Sequence, residues 1–182
     1  QKSILGEGIK MENKNDVMYW KWLESIPKVG RKTIAVLLEY FNTPHNIYDA
    51  KETELQSLLK KDKVDSILRH KDLDVIGREL EELKIRNIKF ITPSQKEYPK
   101  RLFHLVDYPI GIYVKGQLPK EEGISLAVVG ARNASYYGKE MARLFCRELA
   151  KKKVQVISGL AFGVDASAHQ GALEGEGYTL GV

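Results

Sequence analysis

The chain has 182 residues, enough for one sizeable core or two small ones. Its 43% hydrophobic and 29% charged content is ordinary for a soluble globular protein, and its net charge of +5 favours a polyanionic partner. A single cysteine excludes an internal disulfide and a CxxC zinc site, and no apolar run approaches the roughly 20 residues that span a bilayer.

Residues 1–15 lack the apolar core of a signal peptide and are expected to form a disordered tail on a cytoplasmic protein. Val17–Leu23 is apolar and aromatic and predicts a helix, broken by Ile26-Pro-Lys-Val-Gly30. Arg31–Phe41 resumes with Ile34, Leu37, Leu38 and Phe41 at the spacing of one buried helix face. Pro44 interrupts this pattern, and short helices are predicted at Lys51–Leu59 and Val64–Arg69. A longer helix, Leu73–Arg86, turns Val75, Ile76, Leu80 and Leu83 inward behind Asp72 or Asp74 as its cap. Together these make an all-helical domain over 16–87.

Ile88–Thr92 reads as the first strand of a second domain over 88–182, followed by a proline-punctuated transition carrying a short strand, Ile112–Val114. From Ile124 the pattern alternates: strand Leu126–Val129, helix Tyr137–Lys152, strand Val154–Ile157, helix Asp165–Leu173, strand Tyr178–Val182. Such alternation predicts an α/β fold in which right-handed crossovers build a parallel, Rossmann-like sheet, here one incomplete half of a doubly wound fold. Cys146 falls beside a predicted stripe of Met141, Ala142, Phe145 and Leu149 and reads as a structural thiol.

Two strand ends carry the candidate chemistry. Leu126–Val129 runs into Gly130-Ala131-Arg132, and Val154–Ile157 runs into Ser158-Gly159-Leu160-Ala161-Phe162-Gly163. In a parallel sheet both turns lie at the carboxyl edge, where backbone N–H groups, the Ser158 hydroxyl and the Arg132 fork suit an anion. Asp165 is expected to cap the helix that follows, with His169 on the same face for packing. A metal would need a third ligand, and none is in view. The sequence Gly130-Ala-Arg-Asn-Ala-Ser135 is not a dinucleotide fingerprint and no P-loop occurs, so no cofactor is expected. Tyr136, Tyr137 and Phe162 are candidates to stack bases, Phe162 being equally compatible with a core position.

A second phosphate contact is suggested by Ile26-Pro-Lys28-Val-Gly30-Arg31-Lys32, which has the form of a helix–hairpin–helix turn. A turn that only packs two helices fits the same residues.

Tyr98-Pro99…Leu102, Tyr108-Pro109…Tyr113-Val-Lys-Gly116, Val128-Val-Gly-Ala-Arg132, Tyr137-Gly138, Ser158-Gly-Leu-Ala-x-Gly-Val-Asp165…Ala168-His169…Gly171-Ala172-Leu173 and Thr179 resemble, in order, the DNA-processing protein A (DprA/Smf) family. The resemblance covers about Ile88 to Val182, and the helical domain looks like that family's sterile-alpha-motif-like (SAM-like) or helix–hairpin–helix extension. It implies a non-enzymatic protein that binds single-stranded DNA, protects incoming DNA in natural transformation and helps load the RecA recombinase. By position, the strand pocket would use Gly130, Ala131, Arg132, Ser158, Gly159, Leu160, Ala161, Phe162 and Gly163. It also implies that this chain is an amino-terminal fragment of a protein that forms a homodimer. The alternative is a Rossmann-like hydrolase that releases the base from nucleoside monophosphates, for which no acid or nucleophile pair is evident.

Overall fold

Trp20, Trp22 and Leu23 are buried on the first helix of the structure, a computed structural model that describes residues 16–182. The expected tail, 1–15, lies outside the described residues. The chain divides into two compact units, with the boundary between Gln117 and Leu118. That is well beyond the expected division at 87/88.

In the first unit, helices α1 (Asp16–Ser25), α2 (Arg31–Phe41), α3 (Pro44–Asp49), α4 (Glu52–Leu58), α5 (Lys61–Arg69) and α6 (Leu73–Ile85) enclose one apolar core. Ile34, Leu37, Leu38 and Phe41 of α2 all enter it, as their spacing requires. Pro44 does not interrupt the helices but starts one, at the first helical position, where its missing N–H costs nothing. Thr43 caps α3 by accepting from the Asn46 N–H at 3.1 Å. Asp72, not Asp74, caps α6, accepting from the Asp74 and Val75 amides. Val75, expected inward, is 37% exposed, and Ile76 takes the buried place.

Trp22 is fully buried, donates its indole N–H to the His70 carbonyl at 2.8 Å and meets Tyr48 edge-on. Replacing it by Phe leaves a void that its neighbours cannot fill. A loss of about 2–3 kcal/mol is expected, read as a lower urea midpoint.

Strands β1 (Ile88–Ile91) and β2 (Ile112–Lys115) pair antiparallel within this unit, with Ile88 opposite Lys115. The first strand therefore does not join the parallel sheet. Phe90 is drawn into the helical core, which holds β1 there. The Tyr-Pro segment between the strands is stapled by Tyr98, whose buried phenol donates to the Pro109 carbonyl and packs on Phe103. Burial pushes the Tyr98 phenol up to about 12.

The second unit is a three-stranded parallel sheet of β3 (Ser125–Ala127), β4 (Gln155–Ser158) and β5 (Thr179–Gly181), in that spatial order. Helices α7 (Tyr136–Lys151) and α8 (Val164–Glu174) make the crossovers, pack side by side and both contact β4. The α/β architecture is that expected of one half of a doubly wound sheet. Cys146 and Ala150 of α7 meet Ala168 and Ala172 of α8 over Val156, so small residues build a thin, close-packed core. Phe145, expected in the buried stripe, is instead 63% exposed. Cys146 lies inside, and burial raises its thiol above the usual range, as a structural thiol requires.

Candidate nucleic-acid interface

Parallel pairing sets Ala127 opposite Ile157, so the turns after β3 and β4 leave the sheet side by side at its carboxyl edge. Between them stands Asp165, in the first turn of α8 and 6% exposed. One carboxylate oxygen accepts from the Gly130 N–H at 3.3 Å and the other from the Gly159 N–H at 3.1 Å. The helix amino terminus favours the negative charge held there. Asp165 is thus not a helix cap: Gly163 occupies that position, and Asp165 ties the two turns together.

The turns also touch directly. Gly163 has φ +86°, and a Cβ on it would fall 2.2 Å from the Ala131 carbonyl oxygen and 2.4 Å from that of Arg132. The Val164 N–H donates to the Ala131 carbonyl at 3.3 Å, and Val164 methyls fill the space where a Gly130 side chain would stand. The small residues serve contact between the turns. Ser158 is buried and donates its hydroxyl to the Val128 carbonyl at 2.6 Å, so it is committed inside the sheet.

What faces outward is a shorter set. Arg132 is exposed and makes no ion pair or side-chain hydrogen bond among the described residues, and the same holds for Lys139 in the first turn of α7. Leu160 takes φ +54°, unusual for a branched side chain, and its own atoms occupy the space above Gly181 of β5. Ala161 closes the loop by accepting from the Ala166 N–H at 3.1 Å. Phe162 at the crown is 84% exposed, so it is not a core residue. His169 shares a hydrogen bond of 2.6 Å with the Thr179 hydroxyl, separate from Asp165, and no metal-ligand cluster occurs among the described residues.

A model of the DNA recombination-mediator protein A family matches residues 89–182, a little over half of the chain. The chain belongs to this family. Protein Smf of Escherichia coli K12 is 42% identical over 93 residues, covering 50% of this chain and 25% of that protein. DNA processing protein DprA of Bacillus subtilis 168 is 32% identical over 108 residues, covering 59% and 36%. Protein Smf of a Synechocystis strain aligns over 177 residues at 27% identity, covering 90% of this chain and 43% of that protein. The chain therefore spans less than half the length of each of these relatives. The X-ray structure of DprA from Streptococcus pneumoniae shares the fold, with a TM-score of 0.69 over 94% of this chain and 58% of that one, at 22% identity.

The family match begins at residue 89, near the expected domain start at 88, although the compact units divide later. Of the expected pocket residues, Gly130, Ala131, Arg132, Gly159, Leu160, Ala161, Phe162 and Gly163 come together at one edge, while Ser158 sits beneath them. Asp165 as the clamp and Lys139 as a second exposed cation are additions that the sequence alone did not single out.

At the other expected phosphate contact, in the first unit, the residue with positive φ is Lys28 at +66°, while Gly30 takes an ordinary extended conformation ahead of α2. Arg31 is committed to the Asp107 carbonyl at 2.7 Å. Lys28 and Lys32 remain exposed.

Proposed function

We propose that the paired turns of residues 118–182 grip the backbone of single-stranded DNA, with Arg132 as the principal phosphate contact and without catalysis. The observation that carries this is Arg132, exposed and without an ion pair or side-chain hydrogen bond among the described residues, on a turn that Asp165 ties to its neighbour at the carboxyl edge of the sheet. Phosphate neutralisation by such a cation gives sequence-independent affinity. Lys139 extends the cationic surface along α7, and Lys28 and Lys32 of the first unit offer a separate phosphate contact. Membership of the recombination-mediator family supports a place in DNA uptake and recombination. There the whole protein would act as a homodimer, protect incoming single strands and present them to the RecA recombinase.

A base-releasing hydrolase needs an available carboxylate. The carboxylate nearest the turns, Asp165, is buried and already accepts two backbone hydrogen bonds. Anisotropy of a labelled dT oligomer at low salt is expected to show saturable binding by the chain, weakened about tenfold by Arg132→Ala. Incubation with nucleoside monophosphates is expected to release no base. Release of free base by the purified chain would replace this function with the hydrolase.

A further inference from the structure

We propose that the outer face of α2 is a contact with a second copy of this chain, made by two α2 helices packed antiparallel about a two-fold axis. The helix carries two stripes of the same spacing. Ile34, Leu37, Leu38 and Phe41 enter the core. Lys32, Ala35, Val36 and Glu39, also at i, i+3, i+4 and i+7, face solvent on the opposite side. The outward stripe has a cation at one end, small apolar residues in the middle and an anion at the other end. Val36 is 44% exposed, and Tyr40, which flanks Glu39, is 56% exposed. Neither Lys32 nor Glu39 makes an ion pair or side-chain hydrogen bond among the described residues.

This order of residues is complementary to itself. A two-fold axis midway between Ala35 and Val36 reverses the second helix, so residues equally far from the axis on either side come level. Lys32 then meets Glu39 of the second copy, and Glu39 meets that copy's Lys32. Ala35 and Val36 each face their own counterparts, the alanine allowing close approach and the valine filling the seam. Tyr40 offers its ring to the same incoming ammonium. A parallel pair would instead set Lys32 on Lys32 and Glu39 on Glu39. The stripe thus supplies both signs of charge at mirrored positions, which a second copy satisfies and a uniformly acidic or basic partner does not. One helix pair buries little surface, which puts the contact in the weak, transient class. It lies within residues 16–117, is additional to the homodimer expected of the whole protein and does not depend on the phosphate grip. With Lys32 engaged, Lys28 is left as the exposed cation of its turn.

The test is sedimentation velocity of the 182-residue chain without nucleic acid, from about 10 μM to 1 mM, where weak contacts become populated. The wild-type chain is expected to dimerise as concentration rises. Lys32→Glu and Glu39→Lys each place two like-charged pairs across the axis and are expected to weaken the dimer at least about tenfold. Mixed in equal amounts, these two variants regain both opposite-charge pairs, and a heterodimer about as tight as the wild-type dimer is expected. Recovery on mixing cannot come from misfolding or from an interface elsewhere on the chain. Val36→Asp is expected to abolish dimerisation. Trp20 and Trp22, 2% and 0% exposed in the core that α2 covers, report by their emission that each variant is folded. A wild-type chain monomeric throughout overturns the proposal. So do dimers unmoved by the charge reversals, or a mixture of folded variants that associates no more tightly than either alone.

Discussion

Substituting alanine for Gly163 is expected to cost residues 118–182 about 3–4 kcal/mol and to abolish nucleic-acid binding by the paired turns. Gly163 sits at φ +86°, where an L side chain is strained, and its added Cβ would stand 2.2 Å from the Ala131 oxygen. Neither neighbour can yield locally, because both obstructing atoms, the carbonyl oxygens of Ala131 and Arg132, belong to the backbone. The turns must separate, breaking the Val164–Ala131 hydrogen bond and moving Arg132 away from the second turn. Both tryptophans lie on α1, so indole emission reports only the first unit. Amide exchange is the suitable measurement. Protection of Val156 and Ala168 is expected to collapse while the tryptophan signal stays native. Phe162→Ala, one residue away, is expected to change stability by no more than about 0.5 kcal/mol, which separates backbone strain from loss of a side chain.

Asp165→Ala is expected to have the second largest effect, about 2–4 kcal/mol. The carboxylate is buried and uses its two oxygens on two different turns, Gly130 and Gly159. Removing it leaves two amides without their acceptor and only the Val164–Ala131 hydrogen bond and the Gly163 contact to hold the turns in register. Asp165→Asn is the more telling variant, since an amide has one acceptor oxygen and must turn its NH2 toward the other N–H. It is expected to lose nearly as much stability as Asp165→Ala and to bind the dT oligomer more weakly with Arg132 still present. A role as a simple helix cap would instead make Asn nearly as good as Asp.

Much of this architecture is legible in the sequence because helices and alternating elements announce themselves by period. The spacing of Ile34, Leu37, Leu38 and Phe41 specifies the buried face of α2, and the alternation after Ile124 specifies the parallel sheet. Ile88, Phe90 and Ile91 are enough to mark β1 as a strand, but a run that short does not encode its partner. Only the burial of Phe90 in the helical core explains why it pairs with β2. Pro44 misleads because proline both ends helices and begins them, and the deciding signal is the threonine before it. At the interface, Arg132 and the glycines stand out in the sequence. The double use of Asp165 does not, because it depends on two turns separated by a helix being brought side by side. Phe145 fits an inward helical stripe by period, yet the small residues of α8 meet Cys146 and Ala150 on a different face of α7.

The most direct test of the phosphate grip is the salt dependence of dT-oligomer binding by the wild-type chain and by Arg132→Ala. If Arg132 neutralises one backbone phosphate, the slope of log affinity against log salt is expected to become shallower by about 0.7 in the variant, with weaker binding at every low-salt point. Identical slopes and affinities for the two proteins would contradict it.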